Sequence, residues 1–210
     1  WTTYFYTSVF HREFNDLNLC DITGRFCEDV EPVHELVFDV RDEDREAAVA
    51  LLAENGLSPD DFLVFFQLGA SDEHKRWPEA QFAGLARLLI EHYNAKIVLV
   101  GVKDEAPLGD RLLAAAPGLA VPFFGRTSVA QLAALLGMGR LLVTNDTGTM
   151  HIAASVHCPT VLVSVGYVHF RETGPYGEGH VAVECRRDHI GRVDLGAQGP
   201  SRMGQLVEEG

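Results

Sequence analysis

The stretch Thr144-Asn145-Asp146-Thr147-Gly148-Thr149-Met150-His151 constrains the fold more than any other part of the chain. A short apolar run, Arg140-Leu141-Leu142-Val143, leads into it. A small-residue pattern at helical spacing, His151-Ile152-Ala153-Ala154-Ser155-Val156, leads out. This predicts a strand, a tight turn and a helix, with Asp146 or Thr147 as N-cap. The first turn of a helix leaves backbone N–H groups without partners, and the helix dipole adds partial positive charge there. Such an end receives phosphate. Gly148 sets no Cβ between a ligand and the backbone. Taken alone, the turn is better explained as an ordinary helix cap with His151 packed in the core. Its weight depends on its company.

A regular alternation surrounds it. Phe62-Leu63-Val64-Phe65-Phe66 is continuously apolar, as a strand buried on both faces must be. The loop 68–77 follows. Pro78 then opens a helix at a favourable first position, with Phe82, Leu85, Leu88, Leu89 and His92 on its buried face. Lys96 to Val100 reads as the next strand, ending at Gly101. Asp104 to Ala116 reads as a helix, and Ala120 to Phe124 as a short strand. Ser128-Val129-Ala130-Gln131 has capping-box spacing and opens a helix through Leu136. Pro159 to Ser164 is a further strand, and His180 to Glu184 a last one.

Upstream, Glu35 to Val40 is a short strand candidate. Asp42 to Asn55 is a helix with Gly56 as its C′ residue. Residues 1–34 are the least legible, with a helix candidate from Arg12 to Phe26. Strands alternating with helices of this length predict an α/β fold: a Rossmann-like parallel sheet with helices on both faces. The loops after the strands then gather along one edge, where such sheets bind ligands.

The chain has 210 residues, enough for one large domain or one domain and a piece of a second. It begins at Trp1, without a Met, and is expected to be a processed or excised piece of something longer. No apolar run reaches membrane-spanning length, and no signal peptide is visible. The formal net charge of −13 argues against nucleic acid or an anionic membrane as partner. An acidic chain that binds phosphate must concentrate cations and N–H donors locally. Cys20, Cys27, Cys158 and Cys185 have no C-x-x-C spacing, which suits reduced thiols in a cytoplasmic protein. No G-x-G-x-x-G follows any strand and there is no Walker A sequence, which disfavours a nicotinamide dehydrogenase.

Further positions supply that chemistry. Lys75, in the loop after the 62–67 run, can swing over a phosphate as a point charge, with Ser71 adding a hydroxyl. A solvated surface Lys is the plain alternative. Glu105 lies four residues past Gly101. It can accept ribose hydroxyls or serve the helix dipole, and the two readings balance. Gly125-Arg126-Thr127-Ser128 can line a base pocket through its backbone, although a capping box needs no ligand.

In order, Lys75-Arg76-Trp77-Pro78, Val98-Leu99-Val100-Gly101, Gly125-Arg126-Thr127-Ser128, and Asn145 to His151 with Ala153-Ala154 and Pro159-Thr160 resemble the ADP-heptose:lipopolysaccharide heptosyltransferase family, glycosyltransferase family 9. Gly174-Pro175-Tyr176-Gly177 also fits. The resemblance runs from about residue 60 to about residue 180.

It implies the C-terminal half of a two-domain GT-B glycosyltransferase that binds a nucleotide-sugar, ADP-heptose. Ser71 and Lys75 would contact the donor phosphates, with Lys75 stabilising the leaving group. Glu105 would hold the ribose, and Thr127 would sit by the base. Asp146, Thr147, Gly148, Thr149 and Met150 would wrap the sugar-diphosphate, with His151 supporting the turn. Neither metal nor cofactor is expected. Residues 1–60 would be linker and the tail of an acceptor domain, 61–185 the nucleotide-sugar domain, and 186–210 a polar tail.

The same resemblance implies transfer with inversion to a saccharide such as lipopolysaccharide core. The catalytic base would lie in an N-terminal domain missing from the chain, which could also lend peripheral membrane association. A non-catalytic nucleotide-sugar-binding module and a GT-B epimerase are the alternatives. The epimerase would need His151 and Glu105 as an acid/base pair.

Overall fold

The computed structural model describes residues 17–24, 35–165, 170–186 and 189–194. After a short helix, α1 (Leu19–Gly24), and a longer one, α2 (Asp42–Glu54), strands and helices alternate. They are β1 (Leu63–Gln67), α3 (Glu79–Tyr93), β2 (Lys96–Val100), α4 (Ala106–Ala115), β3 (Val121–Pro122), α5 (Val129–Met138), β4 (Leu141–Thr144), α6 (Gly148–Ser155), β5 (Thr160–Val165), α7 (Phe170–Thr173), β6 (His180–Arg186) and β7 (His189–Asp194). The sheet order is β3-β2-β1-β4-β5-β6-β7. The strands β1 to β6 run parallel, and β7 is antiparallel to β6.

The apolar run of β1 divides its side chains between two layers. Leu63 and Phe65 join Ala48 and Leu52 of α2, Leu135 of α5 and Ala153 of α6. Val64 and Phe66 face Phe82, Ala83 and Ala86 of α3 and Leu108 and Leu112 of α4. Period-2 alternation with both faces apolar is what a central parallel strand requires. The Rossmann-like sheet expected from the sequence is the sheet observed.

Several details differ. Residues 35–40 form no strand; Phe38 N donates one bond to Ser155 O at 3.0 Å. The buried stripe of α3 is Phe82, Ala83 and Ala86, while Leu88 is 53% exposed and His92 lies outside. The small alanines let the helix approach the sheet, which turns the stripe away from Leu88. α2 lies in the stretch read as linker, yet it packs on α5 and contributes to the core. The sheet continues past residue 186 through β7, in the stretch read as a polar tail. Of the helix expected from Arg12 to Phe26, residues 17–24 are described, and the helix spans Leu19–Gly24, with Asn18 Oδ1 accepting from Cys20 N at 3.0 Å ahead of it. α1 is tied to the loop after α7: Tyr176 Oη donates to Asp21 Oδ1 at 2.6 Å, and Asn18 Nδ2 to Gly174 O at 3.4 Å.

Helix ends follow their local chemistry. Gly56 has φ +68 after α2, a conformation that glycine adopts without cost. Ser128 caps α5 as expected: its hydroxyl accepts from Gln131 N at 3.2 Å, and Gln131 Oε1 accepts from Ser128 N at 2.9 Å. Pro78 stands one position earlier than expected, at the N-cap of α3, and Trp77 packs edge-on against Phe82 at 4.8 Å.

Gly139, between α5 and β4, has an ordinary φ of −78, so it is there for space. A Cβ would stand 2.5 Å from Phe65 Cε2, and Phe65 is fully buried. Gly139→Ala is therefore expected to destabilise the fold by about 1–3 kcal/mol. Urea denaturation measures this; unchanged or raised stability would contradict the packing.

Candidate functional site

The sheet order reverses direction between β1 and β4, since β2 and β3 lie to one side and β5 and β6 to the other. Ligands of open α/β sheets bind at such a switch point, outside the carboxyl ends of the strands. Here those ends are level: Gln67 of β1 is paired with Val100 of β2 on one side and Thr144 of β4 on the other. The loops 68–77, 101–105 and 145–147 all leave from that row.

One side chain joins two of these loops. Asn145 is fully buried. Its Nδ2 donates to Leu68 O at 2.9 Å and to Gly69 O at 3.2 Å, and its Oδ1 accepts from Trp77 N at 2.9 Å. The loop after β1 is thereby fastened at both ends to the turn after β4. Between those ends, Asp72 Oδ1 accepts from His74 N at 2.8 Å and starts a 3-10 turn over Glu73–Lys75. Arg76 Nη2 donates to Ala70 O at 3.3 Å. This frame brings Lys75 Nζ to 3.6 Å from Asp146 Oδ2, a charge contact longer than a hydrogen bond.

Thr147 is the N-cap of α6, but its side chain makes no cap bond. Its hydroxyl lies 3.2 Å from that of Thr144 instead. The Met150 N–H turns back to Thr147 O at 3.2 Å. Those of Gly148 and Thr149 stand before it in the first turn, without intrahelical acceptors. A Cβ on Gly148 would meet nothing within 4 Å, so the space before the helix is open. Lys75 and this helix end supply positive charge to the same place, in a chain of net charge −13.

Glu105 sits at the end of the β2 loop. It accepts from Gln67 Nε2 at 3.2 and 3.0 Å and from Val102 N at 3.0 Å. Gly125, with φ +66, bends the next loop so that its N–H meets Gly101 O at 2.9 Å. This lays the half-buried Thr127 segment beside the β2 loop. Arg126 points elsewhere. It pairs with Glu54 at 2.9 Å and Asn55 at 3.2 Å at the end of α2, and lies over the Phe123 ring.

The structure thus gathers Lys75, Asp146, Thr147, Gly148, Thr149 and Glu105 along one sheet edge. Ser71 is exposed on the same loop as Lys75. Met150 is the correction. It is fully buried against Leu162, Ala182 and Phe170, so its side chain fills the space between α6 and the sheet and cannot wrap a ligand. His151 is exposed, not packed in the core, although partial desolvation lowers its pKa against the opposing pull of Asp146. Among the described residues no hydrogen bond or ion pair joins His151 to Glu105. Glu105 is held by Gln67 and Val102 in the loop after β2, and His151 lies on α6 after β4. Cys158 is buried, which pushes its thiol up to about 12 and leaves it no nucleophile at neutral pH.

Sequence reasoning overlooked Asn145 and Gln67 as individual residues. The signal for Asn145 was faint: an amide directly after a buried strand, where no side chain points to solvent. Removing it leaves two carbonyls and one N–H unpaired. Asn145→Ala is therefore expected to cost on the order of 3 kcal/mol and to speed hydrogen exchange at Trp77. Unchanged denaturation and unchanged exchange would show that the two loops do not depend on it.

The sequence model of glycosyltransferase family 9 (heptosyltransferase) matches residues 26–193. Lipooligosaccharide heptosyltransferase 2 of Haemophilus influenzae is 36% identical over 91 residues, covering 41% of this chain and 26% of that protein. The solved structure of Escherichia coli ADP-heptose lipopolysaccharide heptosyltransferase II matches with TM-score 0.62 and 26% identity, covering 73% of this chain and 45% of that one. A family 9 glycosyl transferase from Veillonella parvula shares the fold at TM-score 0.73 and 24% identity, covering 81% of this chain and 50% of that one. The matches thus span about a quarter of the curated relative and about half of each solved chain. By the match over most of its length, the chain belongs to glycosyltransferase family 9, the heptosyltransferase family.

Proposed function

We propose that this chain forms the donor half of an inverting glycosyltransferase and holds a nucleoside diphosphate sugar at the β1/β4 switch point. The observation that carries the reading is Lys75, fastened by the Asn145 frame beside the uncapped start of α6. ADP-heptose is the proposed donor, in line with the printed name of the Escherichia coli structure. A lipopolysaccharide-type saccharide is the proposed acceptor, in line with the curated relatives. The catalytic base would come from outside this chain, and residues 61–185 would bind the donor with α2 packed against them. Among the described residues no helix is long and apolar enough to cross a membrane. A cytoplasmic site of action, with peripheral membrane association through an acceptor domain, completes the proposal.

In this reading the acceptor hydroxyl loses its proton to the base and attacks the anomeric carbon from the face opposite the diphosphate. The bond to the diphosphate oxygen breaks, and negative charge grows on that oxygen. Lys75 Nζ and the first-turn N–H groups of α6 meet that charge, stabilising the transition state more than the ground state. Asp146, an acceptor only, would take bonds from sugar hydroxyls and not from phosphate. The Lys75–Asp146 contact is partly exposed, and such pairs contribute about 1 kcal/mol or less. A charge-assisted bond to phosphate contributes about 1.5–3 kcal/mol, so an arriving diphosphate draws Lys75 onto itself. Glu105 would accept the ribose hydroxyls, Thr127 would border the base, Ser71 would add a phosphate contact, and His151 would support the turn.

Calorimetry of ADP, UDP, GDP and CDP with this chain, without added metal, tests the reading. Selective ADP binding, lost in Lys75→Ala, is the expected result. In a complete enzyme Lys75→Ala should lower transfer about a hundredfold, since one such donor contributes about 3 kcal/mol to the barrier. Transfer within a few-fold of wild type would remove Lys75 from the mechanism. Selective UDP or GDP binding would overturn the choice of donor.

A further inference from the structure

Gln67 is the last residue of β1 and only 4% exposed. Its Nε2 reaches both oxygens of Glu105, at 3.2 and 3.0 Å. The orientation of the amide follows from chemistry: turned over, it would set a carbonyl oxygen against a carboxylate, acceptor against acceptor. The opposite edge, Gln67 Oε1, is buried and meets no donor among the described residues. Val102 N gives Glu105 Oε2 a further bond at 3.0 Å. Two glycines close around the same carboxylate. A Cβ on Gly69 or on Gly101 would collide with it. An exposed glutamate near a helix start ordinarily samples several rotamers. This one is held by a buried side-chain donor, a backbone donor and two close backbone approaches, and it remains half-buried, with part of its surface open.

We propose that Gln67 is a positioning residue for ribose recognition. It bridges β1 to the β2 loop and fixes the Glu105 carboxylate so that its open side meets the vicinal hydroxyls of a bound nucleoside diphosphate. The inference rests on the ribose role proposed above for Glu105. A carboxylate offers about four acceptor positions. The contacts from Gln67 and Val102 occupy some of them and leave the rest to ligand hydroxyls. Without the Gln67 donor the carboxylate keeps only the Val102 N–H and must be ordered again each time the ligand binds. The effect of Gln67 is therefore confined to ligands that carry the hydroxyls, which a general packing role would not produce.

The test compares ADP with 2′-deoxy-ADP by calorimetry on this chain and on Gln67→Met, which keeps the length and buried volume of the side chain and removes its donor. Wild type is expected to prefer ADP by about tenfold or more, the effect of one hydrogen bond to a charged acceptor. Gln67→Met should reduce that preference to about twofold or less, weakening ADP more than 2′-deoxy-ADP, which keeps its 3′-hydroxyl. Gln67→Asn keeps the amide but falls one methylene short, and it gives the same readout if Gln67→Met does not fold. Equal weakening of both ligands, with the preference intact, would overturn the role of Gln67 and leave Glu105 as the ribose residue. A wild-type chain without any preference would overturn the ribose reading of Glu105, and this inference with it. A wild-type chain that binds neither ligand would overturn the nucleotide site itself.

Discussion

Asn145 has no solvent exposure and commits both amide N–H groups and its carbonyl to the backbone of another loop. A buried amide with unmet hydrogen-bonding capacity is costly, so these bonds allow few alternatives. They decide where the loop after β1 leaves the sheet and where α3 begins, because the accepted N–H belongs to Trp77, next to the N-cap Pro78. They decide where Lys75 stands, because Lys75 lies between the fastened ends. The frame is tightly bonded where the proposed diphosphate would lie. The Lys75–Asp146 contact inside it is weak enough to be exchanged.

The acidic composition makes this arrangement necessary. With 30 acidic residues against 17 lysines and arginines, long-range attraction of a diphosphate is unavailable. Binding of the proposed diphosphate would have to come from short-range groups already aimed: an ammonium held by a loop and backbone N–H groups at an open helix end. Donors that need not reorganise when charge moves to the leaving oxygen are also those that lower a barrier. In the proposed function, binding and rate enhancement would therefore draw on the same groups.

Much of this was legible because α/β sheets write themselves into sequence with period and punctuation. The apolar run beginning at Phe62 reads as a strand covered on both faces, which holds for Leu63 to Phe66 while Phe62 lies before the strand and is exposed, and the capping box at Ser128 names its helix start. The stretch from Asn145 to Thr149 is legible as a turn into a helix start, and α6 begins at Gly148 with Thr147 as N-cap. What remained hidden depended on tertiary contacts. Met150 looked like part of the turn, but its side chain lies on the sheet face of α6, against Leu162 and Ala182. Asn145 and Gln67 each act on a residue dozens of positions away, and no local pattern reports such a bond. β7 is short, with only Ile190 and Val193 as large apolar residues, so little in its composition separated it from a tail. α2 was legible as a helix but not as part of this core, since its partner α5 lies some eighty residues later. Arg126 belongs to a motif shared with the family, yet its side chain braces α2, so a motif residue here serves the scaffold.

The most direct measurement is an amide chemical-shift titration of the chain with ADP. The account predicts that the largest shifts fall on Gly148 and Thr149 at the start of α6 and on the Lys75 turn, with smaller ones at Val102 and Glu105. Shifts confined to other loops, with the start of α6 unmoved at saturation, would contradict a diphosphate site at the β1/β4 switch point.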